Sequence, residues 1–142
     1  MPKLLHLLCS SNCYNSPESC KFDMILREAL AALANVELGD EAWSQVVLIV
    51  SFGSLGICSI ASLSCSTLLA SSSSVHVLMY SLLLVGYDGP FEEIYDNAII
   101  DWQEIGGVAM PSCPESFIQK SWDNQICSLQ LSLQLDSLVL PT

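Results

Sequence analysis

The hydrophobic positions of this chain fall mostly at helical intervals, in blocks separated by glycine, proline and serine. Ser16 suits an N-cap and Pro17 a first helical position, and Phe22, Ile25, Leu26, Ala29, Leu30 and Leu33 then recur at three- and four-residue steps. This pattern predicts one amphipathic helix over Pro17–Ala34, closed by Asn35 and Gly39. Asp40 follows as the cap of a short turn carrying Glu41, Ala42 and Trp43, with Glu37 and Glu41 suited to the positive end of a helix. The β-branched run at 46–50 predicts a short buried extended segment, ended by a turn at 52–56.

Ser59 is placed to cap another helix through Ile60, Leu63, Thr67, Leu68 and Ala70. Ser71 to Ser74 are poor helix formers and predict a break before the apolar block 75–85. The clearest helix of the second half opens with Pro90, followed by Glu92 and Glu93 at its start. Its stripe is Phe91, Ile94, Tyr95, Ala98, Ile99 and Trp102, and Gly106 and Gly107 end it. The segment 110–114, with two prolines, is a linker. After it, Phe117, Ile118 and Trp122 begin a further helix. Leu129, Leu131, Leu133 and Leu135 alternate as in a strand, whereas Ile126, Leu129, Leu133 and Leu140 approximate helical steps. Helix is the better reading, because Leu and Gln favour it and 127–138 has no β-branched residue. The predicted fold class is therefore mainly α: one small helical domain over residues 1–142, with irregular connections rich in Gly, Ser and Pro.

Charge changes the picture. The 142 residues carry 4 Lys or Arg against 15 Asp or Glu, a net charge of −11. Such a balance repels phosphate backbones, so strong nucleic-acid binding is not expected. No charged residue lies between Glu41 and Asp88, while Lys3, Lys21 and Arg27 precede that gap. Residues 46–70 are long and apolar enough to be flagged as a membrane span. Against a span stand its many hydroxyls and the glycines Gly53 and Gly56. A small membrane protein with one or two spans within 46–87 is the alternative reading. The apolar run 4–9 is short, is interrupted by His6 and follows one lysine, so it does not resemble a secretory signal. The 7 cysteines are too few and too irregular for a disulfide scaffold, which suggests a reducing, intracellular setting.

Candidate chemistry is sparse. His6, Cys9, Cys13 and Cys20 offer a soft ligand set for zinc, but there is no Cys-x-x-Cys pair, and simple thiols are the better reading. Cys58, Cys65, Cys113 and Cys127 read as apolar fillers, since neither His6 nor His76 is tied to a thiol and an orienting group. A helix places Glu92 and Asp96 on one face, more simply a solvated surface than a cation site. The run Phe52-Gly53-Ser54-Leu55-Gly56 lacks the spacing of a hydrolase elbow and the Lys of a phosphate loop, leaving a turn. Trp43, Trp102 and Trp122 read as core anchors, because stacking platforms for bases need a basic groove. The residues supply no catalytic, cofactor-binding or metal site.

Three landmarks in series carry a resemblance: Met1-Pro2-Lys3-Leu4-Leu5-His6-Leu7-Leu8, the run Asn35-Val36-Glu37-Leu38-Gly39-Asp40-Glu41-Ala42-Trp43-Ser44-Gln45, and Phe52-Gly53-Ser54-Leu55-Gly56-Ile57. Together they resemble the segment downstream of the polymerase core in animal non-LTR (LINE-type) retrotransposon reverse transcriptases. That segment reads Trp-Ser-Gln, a few apolar residues, Leu-Pro-Val, then Gly-Gly-Leu-Gly-Ile-Arg. A Phe-Leu-Ala-Ser stretch and a Lys/Arg-x-Trp-Asp follow, matched here by Leu68-Leu69-Ala70-Ser71 and Lys120-Ser121-Trp122-Asp123. The resemblance covers nearly the whole chain. Ile49 replaces the pattern's proline, Ser54 its second glycine, and Cys9 and Cys58 its arginines. The resemblance implies a degenerate, non-catalytic fragment of an RNA-directed DNA polymerase, a transposable-element remnant. Polymerase palms hold two Mg²⁺ ions on aspartates in a Tyr/Phe-x-Asp-Asp hairpin, and Tyr95-Asp96-Asn97 is not that motif. Apolar surface that such a fragment once buried against the polymerase is expected to be exposed, favouring self-association or a protein partner.

Overall fold

The structure, a computed structural model, describes residues 8, 13–48, 50, 54–83 and 91–139. Those residues form a mainly α fold with no strand: α1 Pro17–Ala34, α2 Asp40–Val47, α3 Ile60–Leu83, α4 Phe91–Glu104, a 3-10 turn Glu115–Phe117, and α5 Gln119–Val139. Two compact units divide the chain, a smaller one of Cys13–Ser64 and a larger one of Cys65–Thr142 with Met1–Asn12.

In the smaller unit, α1 begins and ends where its sequence signals stand. The Ser16 hydroxyl accepts a bond from Glu18 N–H at 3.3 Å, and Asn35 closes the helix in the left-handed conformation at φ 53°. The short helix α2 departs from expectation. Gly39, not Asp40, is its N-cap, and it runs on through Val46 and Val47, where an extended segment is predicted. Asp40 and Glu41 favour its N-terminus, and the Ser54 hydroxyl donates to Val46 O at 2.6 Å, satisfying an end carbonyl. These tertiary and end effects outweigh the weak preference of valine for strands. Gly56, inside the expected turn, has φ +71°.

The N-terminus of α3 is held by two side chains. Ser59 Oγ accepts from Ser62 N–H at 3.1 Å, as its predicted capping role requires. From α1, the Asp23 carboxylate accepts from Ile60 N–H at 2.8 Å, from Ala61 N–H at 3.1 Å and from the Ser59 hydroxyl at 2.6 Å. Three of the four amides orphaned at a helix start are thereby satisfied.

No break occurs at Ser71 to Ser74; α3 continues through them to Leu83. Ser73 Oγ donates to Leu69 O, one turn back, at 2.8 Å, and Ser64 Oγ donates to Ala61 O at 3.0 Å. The hydroxyls thus bond the helix's own carbonyls instead of competing with it. In the larger unit every residue from Cys65 to Ala70 is buried, which explains why this turn has apolar and small side chains on all faces.

Helix α4 meets α3 through Cys65 Sγ, 3.4 Å from Ala98 O, and through Ser73 Oγ, 3.2 Å from the Tyr95 hydroxyl. It ends in a paired-bond terminus: Gly106 N–H reaches Gln103 O at 3.2 Å and Gly107 N–H reaches Trp102 O at 3.0 Å, with Gly106 at φ +120°. A Cβ on Gly107 would enter the Trp102 ring, so the expected glycine stop is also a packing requirement. Trp102 and Trp122 are both fully buried and meet edge to face at 5.0 Å between centroids. Trp102 Nε1–H donates to Trp122 O at 3.3 Å and Trp122 Nε1–H donates to Ser116 O at 2.9 Å, so α4, the 3-10 turn and α5 share one anchor.

The linker after α4 is fixed by Gln125 of α5, whose amide accepts from Val108 and Ala109 N–H at 3.0 and 3.1 Å and donates to Ala109 O at 2.7 Å. The ambiguous 127–138 stretch is helical, as read from its leucines and glutamines. Among the described residues no helix is long and apolar enough to cross a membrane, and the span flagged at 46–70 is divided between the end of α2, an irregular 54–59 and the start of α3. Gly53, Pro90 and Leu140, each given a role in the sequence reading, lie outside the described residues.

Candidate functional site

Helix α1 presents the most distinctive surface. Its buried positions are polar, Ser19 at 7% exposure and Asp23 at 8%, while Phe22 is 43%, Ile25 66% and Leu33 87% exposed. Hydrophobic burial alone would roll the helix the other way. The roll is set by hydrogen bonds: Ser19 Oγ donates to Cys13 O at 3.2 Å, and Asp23 serves the start of α3. Arg27 adds a third tie, donating from Nε to Leu38 O at 2.8 Å and from Nη1 to Asp40 at 2.8 Å, with Nη2 also on Leu38 O. A face of Phe22, Ile25, Ala29 and Leu33 is left to solvent.

Among the described residues of the larger unit, buried Cys65 and half-buried Asp123 form an ionisable cluster. Burial pushes the Asp123 carboxyl up from its ordinary 3.8 to about 6, opposed by the pull of Ser66 and by a bond from Gln119 Nε2–H at 3.0 Å. Ser66 Oγ and Thr67 Oγ1, on the buried turn of α3, have no hydrogen bond of normal length and angle. Burial also raises the Cys65 thiol to about 11, with the Asp123 charge adding to the effect. A thiol held protonated is a poor nucleophile, so this cluster is a packed polar contact between α3 and α5.

The other candidate residues are dispersed. His6 and Cys9 lie outside the described residues, Cys13 is half-buried and Cys20 exposed, and no group of described His, Cys, Asp or Glu side chains is placed to hold a metal ion. Cys58 and Cys127 are half-buried and Cys113 is exposed; only Cys65 is a buried filler. His76 is exposed on α3, Glu93 and Asp96 are exposed on α4, and the Glu92 side chain is outside the described set. Trp102 and Trp122 are core anchors as expected, closed to any base, whereas Trp43 is only half-buried. Tyr95-Asp96-Asn97 lies within α4 and so forms no hairpin.

A depression of about 660 Å³ opens between the α4 terminus and α5, lined by Gln103, Gly107, Asn124, Gln125, Ser128 and Leu129 among others. Its amides and hydroxyls bring no acid, base or nucleophile to one point. What residue spacing does not reveal is the outward roll of α1, because its cause, the bond from Asp23 to Ile60, spans 37 positions. Comparison with protein-family models, with curated proteins and with solved structures finds no match to the chain.

Proposed function

We propose that this chain is a non-catalytic helical interaction module, derived from the region that follows the polymerase core of a LINE-type reverse transcriptase. The observation that carries the reading is the apolar face of α1, turned to solvent while the polar side of the same helix is buried. A face of that kind serves a protein partner better than it serves chemistry. The serial sequence landmarks supply the suggested origin. Charge points the same way: at −11, with Lys120 the only basic residue after Arg27, the chain has little with which to hold a template.

The test uses the purified full chain in primer-extension and filter-binding assays at low salt. No template-dependent synthesis and no more than weak retention of nucleic acid are expected. Synthesis directed by a template would refute the reading.

A further inference from the structure

We propose that two copies of this chain associate through the outward face of α1, running antiparallel about a two-fold axis beside Ile25, with Lys21 of each copy against Glu28 of the other. The inference rests on the interaction-module reading and names its partner as a second copy. Lys21 and Glu28 are seven residues apart and therefore share one edge of the helix, next to the face of Phe22, Ile25 and Ala29. Both are exposed, and neither joins an ion pair among the described residues, where Arg27 with Asp40 is the recorded pair.

A two-fold axis between positions 24 and 25 exchanges position 21 with position 28, so one apposition makes two opposite-charge contacts. It also drops Phe22 into the gap between Ile25 and Ala29 of the second copy, where the small alanine leaves room for a ring. Glu18 then falls opposite Ala31, and no like charges oppose along the seam. A parallel pairing would instead put the Lys21 and Glu28 edges of the two copies on opposite sides of the seam and make neither contact. For a chain of net charge −11, most mutual approaches bring acids together, and this edge is an exception. The exposed ion pairs contribute orientation more than affinity, which comes from covering Phe22 and Ile25.

Sedimentation equilibrium of the full chain up to about 100 µM is expected to show a concentration-dependent dimer. Ile25→Glu, at an exposed position, should keep the helical circular dichroism and give a monomer. Lys21→Glu and Glu28→Lys should each weaken the dimer about tenfold, because each places like charges across the axis. An equimolar mixture of those two variants should form a heterodimer, since every contact across the axis is then of opposite sign. A wild-type chain that stays monomeric overturns the proposal, as does a dimer indifferent to Ile25→Glu or a mixture no tighter than its components. Those results would leave the interaction-module reading in place, which falls only on template-directed synthesis.

Discussion

Asp123 shows how one side chain ties the larger unit to proton concentration. Its carboxyl, on α5 against the buried turn of α3, binds its proton more tightly folded than unfolded, with a folded value of about 6 against 3.8. The folded form is therefore favoured most below about pH 4, loses that advantage as pH rises through 6, and gains nothing further above it. Asp123→Asn keeps the size and the bond to Gln119 but removes the charge. The variant should flatten the dependence of stability between pH 4 and 7 and be more stable at pH 7.5 by about 2 kcal/mol, a figure reduced for partial solvent access. Denaturant unfolding of both chains at several pH values, followed through the buried Trp102 and Trp122, measures this.

At the scale of elements, the smaller unit depends on a carboxylate on one helix serving the first turn of another. Asp23→Ala frees the amides of Ile60 and Ala61 and should destabilise the start of α3 by about 2 kcal/mol. Faster hydrogen exchange at those amides, with little change at Ala98 in α4, is the expected signature. Local signals made the ends of the helices legible: Ser16 and Asn35 bound α1, Ser59 caps α3, and the glycine pair stops α4. Where the sequence reading failed, the deciding partner is distant or lies within the helix itself. The Ser54 hydroxyl helps α2 accommodate Val46 and Val47, and within the serine run of α3 the Ser73 hydroxyl bonds Leu69 O one turn back without breaking the helix. Periodicity reveals that α1 has two faces but not which one is buried, because that choice belongs to Asp23.

For the whole molecule, charge opposes aggregation. Exposed large apolar side chains occur on every α-helix but α2, including Val77 and Leu82 on α3, Ile100 on α4 and Leu133 on α5, and a net charge of −11 opposes indiscriminate contact between copies. Acidification toward the ordinary carboxylate range removes that protection. Turbidity at fixed concentration should rise steeply between pH 5 and pH 4 and fall again on return to pH 7. The acidic excess and the charge-free interval were plain from the residues alone. The candidate face was only half legible: its members could be named, but not their exposure, which required the packing around Ser19 and Asp23.

The Asp23 clasp has an outcome for evolution as well as for folding. A carboxylate that never touches the apolar side of α1 acts as the latch on its rotation, so the exposed stripe and its anchorage answer to different positions in the gene. Substitutions along the outer stripe can change what that face presents to solvent while the latch stays shut, and loss of the latch would let the same apolar side chains swing inward and hide.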